Sequence, residues 1–366
     1  MSRWLRVLAV VALVVCGAVG VGVGAPALAE DTGGAPGADQ PVPVIPVPVI
    51  YDSDVDVDDA MTIAYLCQEH EQRRIDLRAV TVTNNGFGLP GRALTHVRGL
   101  LARCGLPDVP VAEGADEVVH AAPAETREAV EAVLTGALAD AAVPSRPGAV
   151  NAAQLIRHVL ATAPRAVTVL ATGSMSNLAA ALRAGGDRVA ERIGRLHVMG
   201  GAIGVPGNLY GSALPGFDNS QEFNMWLDPA AARAVFQAVP PGVLRLVPLD
   251  ATNHVPMTQS YVDELGADQR TPGGRLVHAL LTQPAMVEMI REGGMYWWDA
   301  LTAVTALRHE DAGQLVRFHD LRLDVVLDGV QSGRTRVTPD GRWARVALTA
   351  DRGLFERIFR DALNGR

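Results

Sequence analysis

The sequence predicts an α/β fold, a single large domain built on a mostly parallel, Rossmann-like open sheet flanked by helices. Two observations carry the prediction. Short apolar runs alternate with helical stretches along most of the chain, and the runs lack the polar alternation of a half-exposed strand, so both of their faces must be covered. The chain also has the material for one large core: 366 residues, 48% of them hydrophobic, with a net charge of -8. Sheets of this class bind ligands at the carboxyl ends of their strands.

The N-terminus comes first in order and stands apart from the fold. Arg3 and Arg6 precede the apolar run "VLAVVALVVCGAVGVGVG", and "APALA" closes it with small residues at Ala27 and Ala29. This is an export signal over residues 1–29, with cleavage after Ala29, a secreted or extracytoplasmic destination and no stable membrane association once it is removed. The alternative is a retained anchor, since Leu5 to Leu28 is long enough to cross a bilayer. Lipid attachment at Cys16 is disfavoured by bulky Val15. Residues 30–46, rich in Gly and then punctuated by Pro, read as a tether, and the folded domain spans 47–366.

Within the domain the apolar runs predict strands at "VPVIY" (47–51), "LRAVTVT" (77–83), "VPVA" (109–112), "AVTVLAT" (166–172), "RLHVMG" (195–200) and "LRLVPLD" (244–250). Helical stretches around Ala60–Glu69, Pro90–Cys104, Ser176–Arg183 and Ala230–Ala238 separate them. "FHDLRLDVVLDG" and "RWARVALTAD" read as late strands, and a final helix is expected near Phe355–Leu363. No internal repeat and no second domain boundary stand out.

Composition excludes several functions. All 32 basic residues are arginine. Without lysine, Schiff-base chemistry and a Walker-type phosphate lysine are ruled out. The acidic balance and the lack of a basic cluster argue against nucleic acid. "MGGAIGVPG" lacks the G-x-G-x-x-G spacing of a dinucleotide loop. Outside the signal only Cys67 and Cys104 remain, with no zinc-ligand spacing; two buried, unpaired thiols are favoured, and an export route leaves a disulfide open.

The unusual stretch is "DSDVDVDD", five aspartates in the eight residues Asp52 to Asp59. It leaves the first strand and enters a helix near Asp58, so Asp58 and Asp59 fall in the first turn, where the helix dipole favours carboxylates. Capping needs one or two acids; the others repel unless a cation or a shared proton offsets them. Three readings compete. One is a solvated acidic turn, another a phosphatase of the haloacid dehalogenase type, which normally needs a lysine absent here. The third is a hard-oxygen metal site of the kind calcium or magnesium prefers.

The third reading is sharpened by a likeness over nearly everything from Val47 onward. The chain resembles the nucleoside hydrolase family of the inosine-uridine preferring type. Asp52, Asp54, Asp58 and Asp59 match the family's D-x-D-P-G-x-D-D, with Val55 and Asp56 in place of Pro-Gly. "TVTNN" ending at Asn85, "VPVAEGA", "LATGSMSNLA" around Thr172, "VMGGAIGVPGN" ending at Asn208, "EFNMWLDP" with Glu222 and Asn224, and "WWDALTAV" with Asp299 follow in the family's order.

The resemblance implies the nucleoside hydrolase fold and calcium-dependent hydrolysis of the N-glycosidic bond of ribonucleosides. Asp54, Asp59, the Thr172 carbonyl and Asp299 would hold one Ca2+ together with a water and the ribose diol. Asp54 would be the base that deprotonates the water. Asp58 would bind the 2′-hydroxyl, Asn85 and Asp299 the 3′-hydroxyl side, and Asn208, Glu222 and Asn224 the 5′-hydroxyl. Asp52 is expected to be structural and Asp56 solvent-facing. Trp298 stands where pyrimidine-accepting members carry a histidine, which leans the reading slightly to purine nucleosides stacked on its ring.

Each assignment has a plainer counterpart. Asn85, Asn208 and Asn224 could be turn residues, Glu222 a solvated charge, Asp299 a helix cap, and Trp297 or Tyr296 the exposed ring instead of Trp298. His120 and His254 are further candidates for the base side. The rival from another class is an exported nucleoside- or calcium-binding protein on the same fold without turnover. Family habit implies a homo-oligomer.

Overall fold

Nine strands among the described residues, and the order in which they lie side by side, place everything else. The computed structural model describes residues 45–115, 119–139, 150–209, 217–308 and 312–366. The proposed signal and tether therefore lie outside the described residues, apart from Ile45 and Pro46. The strands are β1 (Val47–Ser53), β2 (Ile75–Val82), β3 (Val111–Glu113), β4 (Val167–Ala171), β5 (Ile193–Met199), β6 (Leu244–Val247), β7 (Val316–Val325), β8 (Thr335–Val337) and β9 (Arg342–Ala350).

They form one sheet in the order β3-β2-β1-β4-β5-β6-β9-β7-β8. From β3 through to β9 all neighbours are parallel. Near one edge β7 is reversed, pairing antiparallel with β9 on one side and with β8 on the other. From β1 the chain steps outward through β2 and β3, then returns to the other side of β1 as β4 and steps away through β5 and β6. The reversal falls between β1 and β4, the place at which sheets of this class bind their ligands.

The apolar runs form strands for the reason their composition suggests. β4 is buried along its whole length, as a strand covered on both faces must be. One face carries the helices Val57–Glu71, Arg92–Arg103, Pro272–Leu281, Trp298–Leu307 and Arg352–Leu363. The other carries Ala152–Thr162, Ser176–Gly185 and Pro229–Ala238. The single α/β domain, its parallel strands and its final helix thus agree with the sequence. β8 gave no sequence signal because it is three residues long with two of them exposed.

The helix Val57–Glu71 is buried almost throughout and carries no amphipathic pattern. It lies under the sheet, packed by other helices. Its last turn holds buried Glu69, whose carboxylate takes two hydrogen bonds from Arg74, at 2.7 and 2.9 Å, and an ion pair from Arg308 at 3.4 Å. Such a charge is tolerated inside because both oxygens are paired. Among the described residues no helix is long and apolar enough to cross a membrane.

The aromatic run "MYWWD" divides cleanly. Trp297 is fully buried and packs against Tyr261, Phe355 and Phe359 at ring separations of 5.1 to 6.0 Å. Trp298 is only partly buried, beside Tyr296 at 5.5 Å. Replacing Trp297 with Ala is expected to cost about 3–5 kcal/mol of stability, and Trp298→Ala much less. Denaturant titration of the two variants checks the difference, and equal losses would show that the rings share the core.

Candidate active site

Five segments meet at the carboxyl ends of β1 and β4. β1 delivers Asp52 and then Asp54. The β2 end delivers Thr83 to Gly86, the β4 end Thr172 to Ser174, and the β5 end Met199 to Gly201. The helix Trp298–Leu307 presents Asp299 in its first turn. Asp52, Asp54, Asp58, Asp59, Asn85, Thr172, Glu222, Asn224 and Asp299 are all buried, while Asn208 and Trp298 are partly exposed.

Asp59 is the hub of the acids. Its carboxylate lies within hydrogen-bonding reach of both the Asp54 and the Asp299 carboxyls. The Tyr51 hydroxyl donates to it, the Thr172 hydroxyl donates at 2.8 Å, and the Asp56 backbone N–H donates at 2.9 Å. Asp58 accepts the Asp299 N–H at 3.1 Å. Four carboxyls, Asp54, Asp58, Asp59 and Asp299, are therefore brought together.

The turn that aims them is strained. Val55, a buried β-branched residue, sits at φ 62, in the left-handed region. The Ser53 hydroxyl oxygen holds its N–H at 3.0 Å, and Gly88 N–H donates to the Asp54 carbonyl at 2.8 Å. Glycine is demanded nearby: a Cβ on Gly86 would stand 2.0 Å from the Asp54 Cβ, and one on Gly173 2.6 Å from it. Asp54 is thus clasped between two loops, and its Oδ2 is buried without a partner.

One sequence expectation and one of the plainer alternatives need correction. Asp56 does not face solvent freely: half-buried, it caps the helix Val57–Glu71, its carboxylate accepting the Val57 N–H at 2.6 Å and completing a capping box with Asp59. Asp299 is not the cap of its helix, because Trp297 holds that position and Asp299 lies inside the first turn. Asp52 does fill a structural place, accepting from Thr81 at 2.6 Å and Asn177 at 2.9 Å.

The polar residues on the far side are also tied down. Glu222 is no solvated charge. It is buried as the cap of the short helix Phe223–Leu227, and its Oε2 accepts from Gly201 N–H at 3.0 Å and Met225 N–H at 3.1 Å. Gly201 can offer that N–H because its φ is 88, a shape natural to glycine. Asn208 accepts the Phe223 N–H at 2.8 Å. Asn85 accepts from the Ser174 hydroxyl at 2.7 Å.

Asn224 donates to the Thr172 carbonyl at 2.9 Å, so the oxygen expected to face a metal already takes one hydrogen bond through one of its two lone pairs. Among the described residues no group of three or more His, Cys, Asp or Glu is arranged to hold a metal ion as it stands. The donor chemistry nonetheless suits a hard cation: buried oxygens only, with Asp54 Oδ2 unpartnered.

His120 and His254 are not gathered into the cluster. His120 stacks on Trp226 at 4.5 Å with its Nδ1 2.6 Å from the Trp226 carbonyl oxygen, and His254 is exposed. Other residues were invisible to sequence reasoning. Tyr51 looked like ordinary strand filling. Arg127, on the helix Ala124–Ala137, donates to the Asn84 carbonyl at 2.9 Å and senses the charge of Asp54. Phe87 and Phe223 stack at 4.6 Å between two site loops.

A family model described as inosine-uridine preferring nucleoside hydrolase matches residues 49–357. Among solved structures, an inosine-uridine preferring nucleoside hydrolase from Bacillus anthracis superposes with a TM-score of 0.75 at 23% identity, covering 87% of this chain and 100% of the other. A plant nucleoside hydrolase gives 0.71 at 22%, covering 88% and 100%. A purine-preferring ribonucleoside hydrolase from Gardnerella vaginalis gives 0.69 at 22%, covering 87% and 98%. No curated protein sequence matches.

Crowding governs the electrostatics. Burial, then the charge of Asp59, holds the Asp54 carboxyl well above the usual carboxylate range. Burial and the charges of Asp58 and Asp59 do the same to Asp299. Burial pushes Asp52 up to about 7 against the opposing hydrogen bonds from Asn177 and Thr81. A carboxyl whose folded pKa is raised binds its proton more tightly folded than unfolded, so it favours folding below the unfolded value near 4 and loses that contribution as pH rises to about 7.

In chelator, the protein should therefore lose stability between pH 4 and pH 7 through Asp52, by up to about 4 kcal/mol. Asp52→Asn keeps the acceptor for Thr81 and Asn177 and should flatten that part of the slope. Denaturant midpoints of both proteins across this range test it; identical slopes would remove Asp52 from the account.

Proposed function

The chain belongs to the inosine-uridine preferring nucleoside hydrolase family and is a nucleoside N-ribohydrolase; from that premise we propose calcium-dependent hydrolysis of ribonucleosides, purine nucleosides slightly favoured, with Asp54 as the base. The observation that carries this reading is the convergence of Asp54, Asp58 and Asp299 on Asp59 at the mouth of the sheet's reversal. So dense a set of buried acids is unfavourable alone and becomes useful beside a cation and a reaction that develops positive charge.

Asp54, Asp59, Asp299 and the second lone pair of the Thr172 carbonyl would hold the Ca2+. When bound, the ion orients a water and the ribose 2′- and 3′-hydroxyls, but acidifies that water only weakly compared with zinc. A carboxylate must then take the proton, and Asp54 is suited by its partnerless Oδ2 and by the two glycine walls that fix its aim. The water oxygen adds to C1′ as the bond from C1′ to the base nitrogen breaks. Positive charge spreads over C1′ and the ring oxygen, and the surrounding carboxylates stabilise it in place.

The remaining groups grip the sugar. Asp58 accepts from the 2′-hydroxyl, Asn85 and Asp299 serve the 3′ side, and Asn208, Glu222 and Asn224 serve the 5′-hydroxyl. A missing 2′-hydroxyl leaves buried acceptors unpaired, which favours ribosides over deoxyribosides. Trp298, partly exposed and packed beside Met199, Ala202 and Leu249, is the ring proposed to stack on the base. Export through residues 1–29 and a homo-oligomeric state belong to the same proposal. A second reading, binding without turnover, draws on the strained Val55–Asp56 turn.

Ribose release from inosine, adenosine, guanosine, uridine, cytidine and 2′-deoxyinosine, with calcium and after chelation, decides between them. Turnover that chelation abolishes is expected, and Asp54→Asn should lower kcat by about 10³-fold or more while nucleoside binding stays measurable. Absence of turnover by a folded, calcium-binding protein would favour the second reading. Gly86→Ala should misplace Asp54 and lower kcat by about 10²-fold with the fold retained; unchanged kinetics would show that the loop yields without moving the carboxylate.

A further inference from the structure

Two thiols play no part in the hydrolysis. Cys67 lies on the helix Val57–Glu71, two turns beyond Asp59, and Cys104 closes the helix Arg92–Arg103, its N–H donating to the Leu100 carbonyl at 3.1 Å. Both belong to one core cluster, with exposures of 1% and 7%, and both are unbonded in this structure. They are also neighbours in space: the two helices pack against each other, and the Cys104 thiol acts directly on the Cys67 thiol. Cysteines are scarce here, three in the whole chain, and the two beyond the N-terminal apolar run lie on helices that pack against each other.

We propose that Cys67 and Cys104 form a structural disulfide when the chain folds under oxidising conditions. The closed loop would contain β2 and the segment Thr83–Gly86, so the bond would join the helix carrying Asp58 and Asp59 to the helix that follows the Asn85 loop. The oxidant is a second disulfide, of oxidised glutathione or of an exported thiol oxidase. One Cys thiolate attacks it and expels the first thiol, and the other attacks the resulting mixed disulfide and expels the second. Two protons and two electrons leave the cysteine pair, and the incoming disulfide departs as two thiols.

Burial dictates when this happens. In the folded protein the Cys67 thiol is pushed well above its ordinary range by burial and by the Cys104 thiol beside it, which leaves little thiolate. No bulky oxidant reaches sulfurs this enclosed, so the bond closes during folding, before the helices seal over it. The bond is independent of the proposed hydrolysis, and its formation is measured without any assay of turnover.

The full chain, unfolded and then refolded in a glutathione redox buffer, is alkylated with iodoacetamide in denaturant without reductant and mapped by peptide mass. The expected result is a linked Cys67–Cys104 peptide pair about 2 Da lighter than the sum of its thiol forms, with Cys16 reporting separately. Reduction should lower the melting temperature by roughly 5–10 °C, as expected for a loop of this length. The double variant C67A/C104A should show no such response. Full alkylation of both cysteines after oxidative refolding would overturn the proposal.

Discussion

The constraint on which the rest of the molecule depends is the repulsion among carboxyls gathered around Asp59. Three donors from three places, the Tyr51 hydroxyl, the Thr172 hydroxyl and the Asp56 N–H, converge on that one side chain. β1 supplies the tyrosine, the β4 end the threonine, and the cap of the first helix the backbone donor. The sheet's reversal brings these parts to one point, and donors there offset part of the cost of burying the charge. Tyr51 remains protonated, held well above its ordinary range by burial and then by Asp59 and Asp299, and so stays a donor.

Around this hub the architecture uses the same groups twice. Glu222 caps a helix and also accepts the Gly201 N–H at the β5 end; Asn224 links the β4 and β5 loops through the Thr172 and Met199 carbonyls, at 2.9 and 3.3 Å. Asp56 caps one helix while its N–H anchors Asp59. Double duty of this kind fixes the groups proposed to hold substrate before any ligand arrives, the form of preorganisation that electrostatic catalysis requires. It also means that replacing one of these residues disturbs fold and chemistry together.

Much of the fold was legible in the sequence because covered parallel strands leave uninterrupted apolar runs, as in "AVTVLAT". β8 left no such trace, being short and mostly exposed. The acidic turn declared itself by density alone, yet the roles within it were not readable: Asp56 occupies a position where solvent exposure was expected, and only the backbone path through Val55 turns it into a cap. The two tryptophans were indistinguishable in "MYWWD" because adjacent helix residues point in different directions that only packing reveals. Tyr51 and Arg127 were missed since their partners, Asp59 and the Asn84 carbonyl, are set by topology rather than by spacing.

The glycine walls about Asp54 have a consequence for how such a site can change over generations. Gly86 and Gly173 sit in segments far apart in the chain, and a side chain on either would run into the same residue, Asp54. Neither needs to touch a substrate to be intolerant of replacement. Drift in these two loops is therefore coupled through the volume of a single aspartate, and a lineage that enlarged either glycine would first have to give up or reposition Asp54.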